Sequence, residues 1–176
     1  SAARAVPVFG DLTARKLGLA ECRDEDVVLI RDLHALMHAA EVDMTLWFRA
    51  LKDFDHDARM LALFEHAFYD IAKRDTLAPQ FEDWLQRYAT RLYDDPLPAA
   101  DRREKMRLAN PKYVLRNYLA QQVIDRAEAG DIAGISELLD VMRRPYDEQP
   151  DNERFAEKRP DWARDRAGCS MLSCSS

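Results

Sequence analysis

Apolar residues recur every three or four positions along most of this chain, the spacing of one face of an α-helix. The pattern predicts a short helix from about Val8 to Leu17, closed by Gly18 as a left-handed cap. Asp24 reads as the N-cap of a second helix, with Glu25 and Asp26 against the positive end of its dipole. Val28, Leu29, Leu33, Leu36 and Met37 form its buried stripe. Asp43 caps a third, which turns Leu46, Trp47, Ala50 and Leu51 to the core. Leu61, Leu63, Phe64, Phe68 and Ile71 give a fourth helix. Pro79 opens a fifth, containing Phe81, Trp84, Leu85, Tyr88 and Leu92. Asp95-Pro96-Leu97-Pro98 is a break, because the residue before a proline avoids the helical region.

Asp101 to Leu108 is charged and reads as a short solvated helix. Asn110-Pro111 then begins the longest helix, with Asn as cap, Pro at the first position and Gly130 after the last turn. Asp131 caps the next, whose expected core face is Ile132, Ile135, Leu138, Leu139 and Met142. From Pro145 onward no period is sustained, so this stretch is expected to wrap a surface or to be partly mobile. The expectation is an all-α protein, an irregular bundle of about 7–8 helices with an extended C-terminal tail. Residues 1–144 would form the helical domain, and residues 145–176 the irregular tail that carries Cys169 and Cys174.

Composition narrows the function classes. At 176 residues the chain is long enough to bury a core without metal or disulfide support. A formal net charge of -6 disfavours nucleic acid and anionic membrane as partners, since both need clustered basic surface. No apolar run approaches the length needed to cross a bilayer. The chain opens Ser1-Ala2-Ala3-Arg4, without an initiator Met or a signal pattern, as an excised or processed segment would. Three cysteines are an odd count, which is no secreted disulfide framework, and a reducing compartment is expected.

Candidate chemistry is sparse. His34 and His38 have the spacing of paired metal ligands, but Ala35 stands where a metalloprotease needs its glutamate, and no third ligand is evident. Asp24-Glu25-Asp26 reads as capping, and Arg143-Arg144 as helix C-terminal cations rather than a phosphate site. Trp47, Phe48, Trp84, Tyr88, Tyr113 and Tyr118 fall at core spacings. Cys174, between serines near the chain end, gains little from packing and suits thiol exchange, with Cys169 as a candidate resolving partner. No P-loop, glycine-rich phosphate loop or kinase catalytic motif occurs, so no cofactor is expected on this segment itself.

Several motifs in order resemble the C-terminal region of the selenoprotein O family. They are Asn110-Pro111-Lys112-Tyr113-Val114-Leu115-Arg116-Asn117-Tyr118, Ala127-Glu128-Ala129-Gly130-Asp131, Arg143 to Gln149 and Ser173 to Ser176. Asp43 to Leu51 and Trp84 to Tyr88 are similar to the family's upstream helical segments. The resemblance implies a protein adenylyltransferase of kinase-like fold that uses ATP and magnesium to move AMP onto Ser, Thr or Tyr hydroxyls of substrate proteins. Its nucleotide-binding and catalytic residues match no position here, which implies that the chain is a C-terminal helical fragment joined to an upstream kinase-like domain. The resemblance also places Cys174 where family members hold selenocysteine or cysteine, a position linked to redox control through pairing with a cysteine near the active site. Cys169 departs from that pattern and leaves two pairings open. A bacterial cytoplasm is implied, or a mitochondrion for a eukaryotic member. The competing expectation is a non-catalytic helical protein-interaction module.

Overall fold

The computed structural model describes residues 2–57 and 59–169. The described residues are all-α: no strand forms, and the nearest approach is an isolated antiparallel bridge between Val42 and Phe68. Contacts gather into two compact units, Ser1–Asn110 and Pro111–Ser176.

The first unit contains α1 (Ala2–Leu17), α2 (Asp24–Ala39), α3 (Met44–Leu51), a 3-10 segment (Met60–Ala67), α4 (Ile71–Tyr93) and α5 (Ala99–Ala109). Gly18 caps α1 at φ +69°, with Leu19 N–H donating back to the Ala14 carbonyl at 2.8 Å. Asp43 caps α3, its carboxylate accepting from Leu46 N–H at 3.0 Å and from the Tyr69 hydroxyl at 3.0 Å. That anchor sets Trp47 at the centre of the unit, stacked on Phe64 at 3.9 Å and flanked by Phe81 and Trp84. All four rings are fully buried.

α2 packs on α4, and α1 on α5. The buried polar tips are tied to backbone: Trp84 Nε1 donates to the Leu29 carbonyl at 2.8 Å, and Tyr88 to Leu17 at 2.7 Å. Arg49 is buried and donates to the carbonyls of Arg107 and Asn110, both at 3.0 Å, which satisfies the C-terminal end of α5.

Three boundaries differ from the sequence expectation. The N-cap position of α2 is Arg23 rather than Asp24, because the Asp26 carboxylate reaches back to the Arg23 N–H at 2.7 Å. The expected fourth helix is a 3-10 segment ending at Ala67, and Ile71 instead begins a single 23-residue α4 with Pro79 inside it. Asp70 starts that helix by accepting from Ala72 and Lys73 N–H. Pro79 leaves the Asp75 carbonyl without its helical donor at a turn where Asp75, Thr76 and Pro79 are exposed to solvent.

The third concerns the opening of the expected longest helix. Asn110 is the C-cap of α5, in an extended conformation, and the next helix, α6, spans Asn117–Glu128. The intervening residues are held out of the helix because Lys112 and Tyr113 N–H both donate to the Pro145 carbonyl, at 2.8 and 3.1 Å. A tertiary bond therefore overrides a valid local start signal.

The second unit continues with α7 (Ala133–Met142) and 3-10 segments at Pro150–Ala156 and Asp161–Ala163. Its core joins Tyr113, Tyr118, Leu119, Leu138, Val141, Phe155, Ala163 and Cys169. The stretch after Pro145, expected to be irregular, thus supplies core residues through its short 3-10 turns. The face of α7 is also rotated from expectation. Gly134, Leu138 and Val141 are buried, whereas Ile132, Ile135 and Leu139 are exposed and Met142 is half-buried. Gly134 accommodates this rotation: a Cβ there would lie 2.8 Å from Arg126 Nη1, so glycine lets the α6 guanidinium lie directly against the α7 backbone.

Candidate functional site

The second unit brings the sequence motifs together. Pro111–Arg116 is tied to Pro145 by the two backbone bonds from Lys112 and Tyr113, and the Tyr113 ring then enters the core. Tyr113 Oη donates to the Gln149 carbonyl at 3.1 Å, and burial pushes its phenol above the usual range. Gln149 is buried and acts as a hub. Its Nε2 donates to the Val141 and Arg144 carbonyls at 3.1 and 2.9 Å, and its Oε1 accepts from Asn152 Nδ2 at 3.0 Å. These bonds satisfy the frayed C-terminal end of α7.

Lys112 lies beside that hub, 2.5 Å from Glu148 and 2.6 Å from Glu153. Burial pulls its ammonium pKa down, but hydrogen bonds to the two carboxylates outweigh it, so the value stands above the ordinary lysine range. Arg166 clamps the last described segment to α6 through Asp125, with Nη1 and Nη2 at 2.7 and 2.8 Å from its two oxygens. Those bonds hold the Asp125 carboxyl below its usual value. Sequence reading missed Gln149, Lys112 and Arg166 in these roles. The one available signal was that two of them fall inside the motifs already singled out.

A cavity of about 360 Å³ opens between α6 and α7, lined by Leu119, Val123, Phe155, Asp125, Arg126 and Arg154 among others. Its cations are already engaged: Arg126 pairs with Asp131 and Glu137, and Arg154 with Glu137.

Of the two sequence-predicted thiols, one lies among the described residues. Cys169 is a free thiol, 1% exposed, in the core of the second unit, with its N–H on the Arg166 carbonyl at 3.0 Å. Cys174 lies outside the described residues. Cys22 is free and half-buried in the first unit, and burial first, then the Asp26 charge, raises its thiol pKa. His34 packs edge-on against Phe48 at 6.2 Å. Among the described residues no cluster of three or more His, Cys, Asp or Glu side chains could hold a metal ion. Arg143 pairs with Asp140 at 2.7 Å, and Asp26 with Arg91 at 2.8 Å.

Within the second unit, Pro111 to Tyr118 and Arg143 to Gln149 are thus joined by backbone and side-chain bonds. Residues 5–143 match the family described as protein adenylyltransferase SelO. The chain belongs to that family. It is 65% identical over 164 residues to a protein nucleotidyltransferase YdiU of Xanthomonas axonopodis pv. citri (strain 306), covering 93% of this chain and 32% of that relative. Relatives of the same description from Xanthomonas oryzae pv. oryzae (strain PXO99A) and Xanthomonas campestris pv. campestris (strain B100) are 63% and 62% identical over the same coverage. The SelO-family chain therefore spans about a third of the length of the curated relatives it matches. No described helix is long and apolar enough to cross a membrane.

Proposed function

We propose that this chain is the C-terminal helical portion of a protein adenylyltransferase of kinase-like fold, acting in a bacterial cytoplasm. The parent would transfer AMP from ATP, with magnesium, to Ser, Thr or Tyr hydroxyls of substrate proteins. The nucleotide site belongs to an upstream kinase-like domain, and this segment supports that domain structurally. The observation that carries the reading is the match to the adenylyltransferase family over residues 5–143, combined with relatives about three times as long.

The segment also carries the parent's redox-responsive thiol, Cys174. Oxidation joins Cys174 to a second thiol, and an oxidised small-molecule disulfide takes up the two electrons and two protons as it is reduced to two thiols. The partner is Cys169 or a cysteine of the upstream domain. Burial of Cys169 favours the upstream thiol, because Cys169 becomes reachable only when the last described segment opens.

The test is AMP transfer from labelled ATP by the full-length parent, with and without reductant, beside the 176-residue segment. Transfer by the parent alone, altered by reductant and by Cys174→Ser, is expected. Transfer by the isolated segment, or by neither protein, would overturn the reading, and the latter would leave a helical interaction module.

A further inference from the structure

The lysines of the first unit are held in two different ways. Lys52 and Lys73 lie 2.9 and 3.0 Å from the carboxylates of Asp53 and Glu41, and Lys105 Nζ donates to the Leu19 carbonyl at 2.6 Å. Lys16, in the last turn of α1, has no carboxylate partner among the described residues. Its ammonium lies instead over the Phe48 ring, 4.4 Å from the centroid. His34 meets the same ring edge-on at 6.2 Å, so α1, α2 and α3 bring an amine, an aromatic face and an imidazole together. The Asn110 amide donates to the Lys16 carbonyl at 3.2 Å and fixes the backbone beneath the side chain. A cation–π contact offsets only part of the cost of desolvating an ammonium. Burial accordingly lowers the Lys16 pKa, which enlarges the neutral, nucleophilic fraction of the amine. The residue is half-buried, which leaves Nζ within reach of a small molecule.

We propose that Lys16 is an acylation site for small activated acyl donors, acyl phosphates or acyl thioesters. The neutral amine attacks the acyl carbon, and a C–N bond forms. The C–O bond to phosphate, or the C–S bond to the thiol, breaks. The leaving group takes the electrons of that bond together with the amine proton, and the product is a neutral amide. Burial costs an amide less than an ammonium without a counter-charge, so the surroundings that disfavour the cation favour the product. Lys52 and Lys73 lack this bias, because their carboxylate partners hold the amine protonated and hydrogen-bonded. Acylation also removes the cation from the Phe48 face. His34, whose pKa is lowered by burial and then by the Lys16 charge, is released from the second of these influences.

The test treats the full-length parent with acetyl phosphate in one arm and with S-acetyl-N-acetylcysteamine, a simple acetyl thioester, in the other. Peptide mass spectrometry reads the initial acetylation rate at each lysine. Lys16 should react several-fold faster than Lys73 in at least one arm, although the Lys73 side chain is 45% exposed, and the faster arm identifies the donor. A rate at Lys16 no greater than at Lys73 in both arms overturns the proposal. A second measurement checks the cluster itself, through the His34 pKa read by deuterium exchange at its imidazole C2 position. Lys16→Gln, neutral like the amide, should raise that pKa, whereas Lys16→Arg should leave it in place. The same His34 pKa in both variants and the parent would place the Lys16 amine away from the Phe48–His34 cluster and overturn the proposal.

Discussion

Tyr113 Oη donates to the Gln149 carbonyl across 36 residues of sequence, and this bond closes the second unit between its two motif segments. The same carbonyl also accepts from Asn152 N–H at 2.8 Å, so it retains one donor if the tyrosine hydroxyl is removed. Tyr113→Phe keeps the buried ring and should therefore cost only about 0.5–1.5 kcal/mol. Tyr113→Ala also opens a cavity and should cost about 3–5 kcal/mol. Urea denaturation midpoints of the two variants test the separation; equal losses would mean that the hydroxyl, not the ring, holds the segment.

Arg91 and Asp26 form the buried ion pair of the first unit, Nε to Oδ1 at 2.8 Å, with Asp95 at 3.5 Å from Arg91 Nη1. Burial opposes the arginine charge, but the Asp26 bond and the carboxylate charges of Asp26, Asp95 and Glu25 more than compensate and raise its pKa. Removing one member of a buried pair strands the other, so Asp26→Ala should cost about 3–5 kcal/mol, near the lower figure because Asp95 remains. Arg91→Met alone would in turn strand the buried Asp95 carboxylate, so the compensating variant combines Asp26→Ala, Arg91→Met and Asp95→Asn. This triple variant should be more stable than Asp26→Ala alone by thermal denaturation.

Two glycines make a controlled pair. Gly18 (φ +69°) and Gly130 (φ +92°) both need a left-handed backbone, yet only Gly18 is crowded. A Cβ at Gly18 would lie 2.7 Å from Met106 Sδ, whereas one at Gly130 would meet open space. Alanine at either position carries a backbone penalty of about 1–2 kcal/mol. Gly18→Ala adds about 1–3 kcal/mol of overpacking. Calorimetry should rank Gly18→Ala as clearly the more damaging.

His34 links stability to pH. Burial, and then the nearby Lys16 charge, lowers its pKa from 6.5. The folded state thus holds His34 neutral at pH values where the unfolded chain is protonated. Stability from this group is full above the unfolded pKa and is lost as pH falls below 6.5 toward the lower folded value. His34→Gln should flatten the fall in denaturation midpoint between about pH 7 and pH 5. An unchanged slope would assign the pH dependence to other groups.

Thiol reactivity should differ between the two described cysteines. Cys22 is half-buried with a raised pKa, whereas Cys169 is inside the core. Maleimide labelling of the native chain, resolved by peptide mass spectrometry, should modify Cys22 slowly and Cys169 more slowly still. Denaturant should bring the two rates together. Rapid native labelling of Cys169 would show that the last described segment opens readily.

The helical class, the Gly18 and Asp43 caps, and the aromatic core around Trp47 and Trp84 were all legible in the chain. Each depends on local spacing or on one residue's backbone preference. The motifs at Asn110 to Tyr118 and Arg143 to Gln149 also carried the family. Long-range packing governed the points where a distant partner overrode a local signal. Asn110-Pro111 has the form of a helix start, but the Pro145 carbonyl takes the Lys112 and Tyr113 N–H groups and delays the helix to Asn117. Ile132, Ile135 and Leu139 have core periodicity, but α7 packs through Gly134, Leu138 and Val141 and leaves them outward. Periodicity reports that a helix has an apolar stripe; which neighbour covers it is a property of packing.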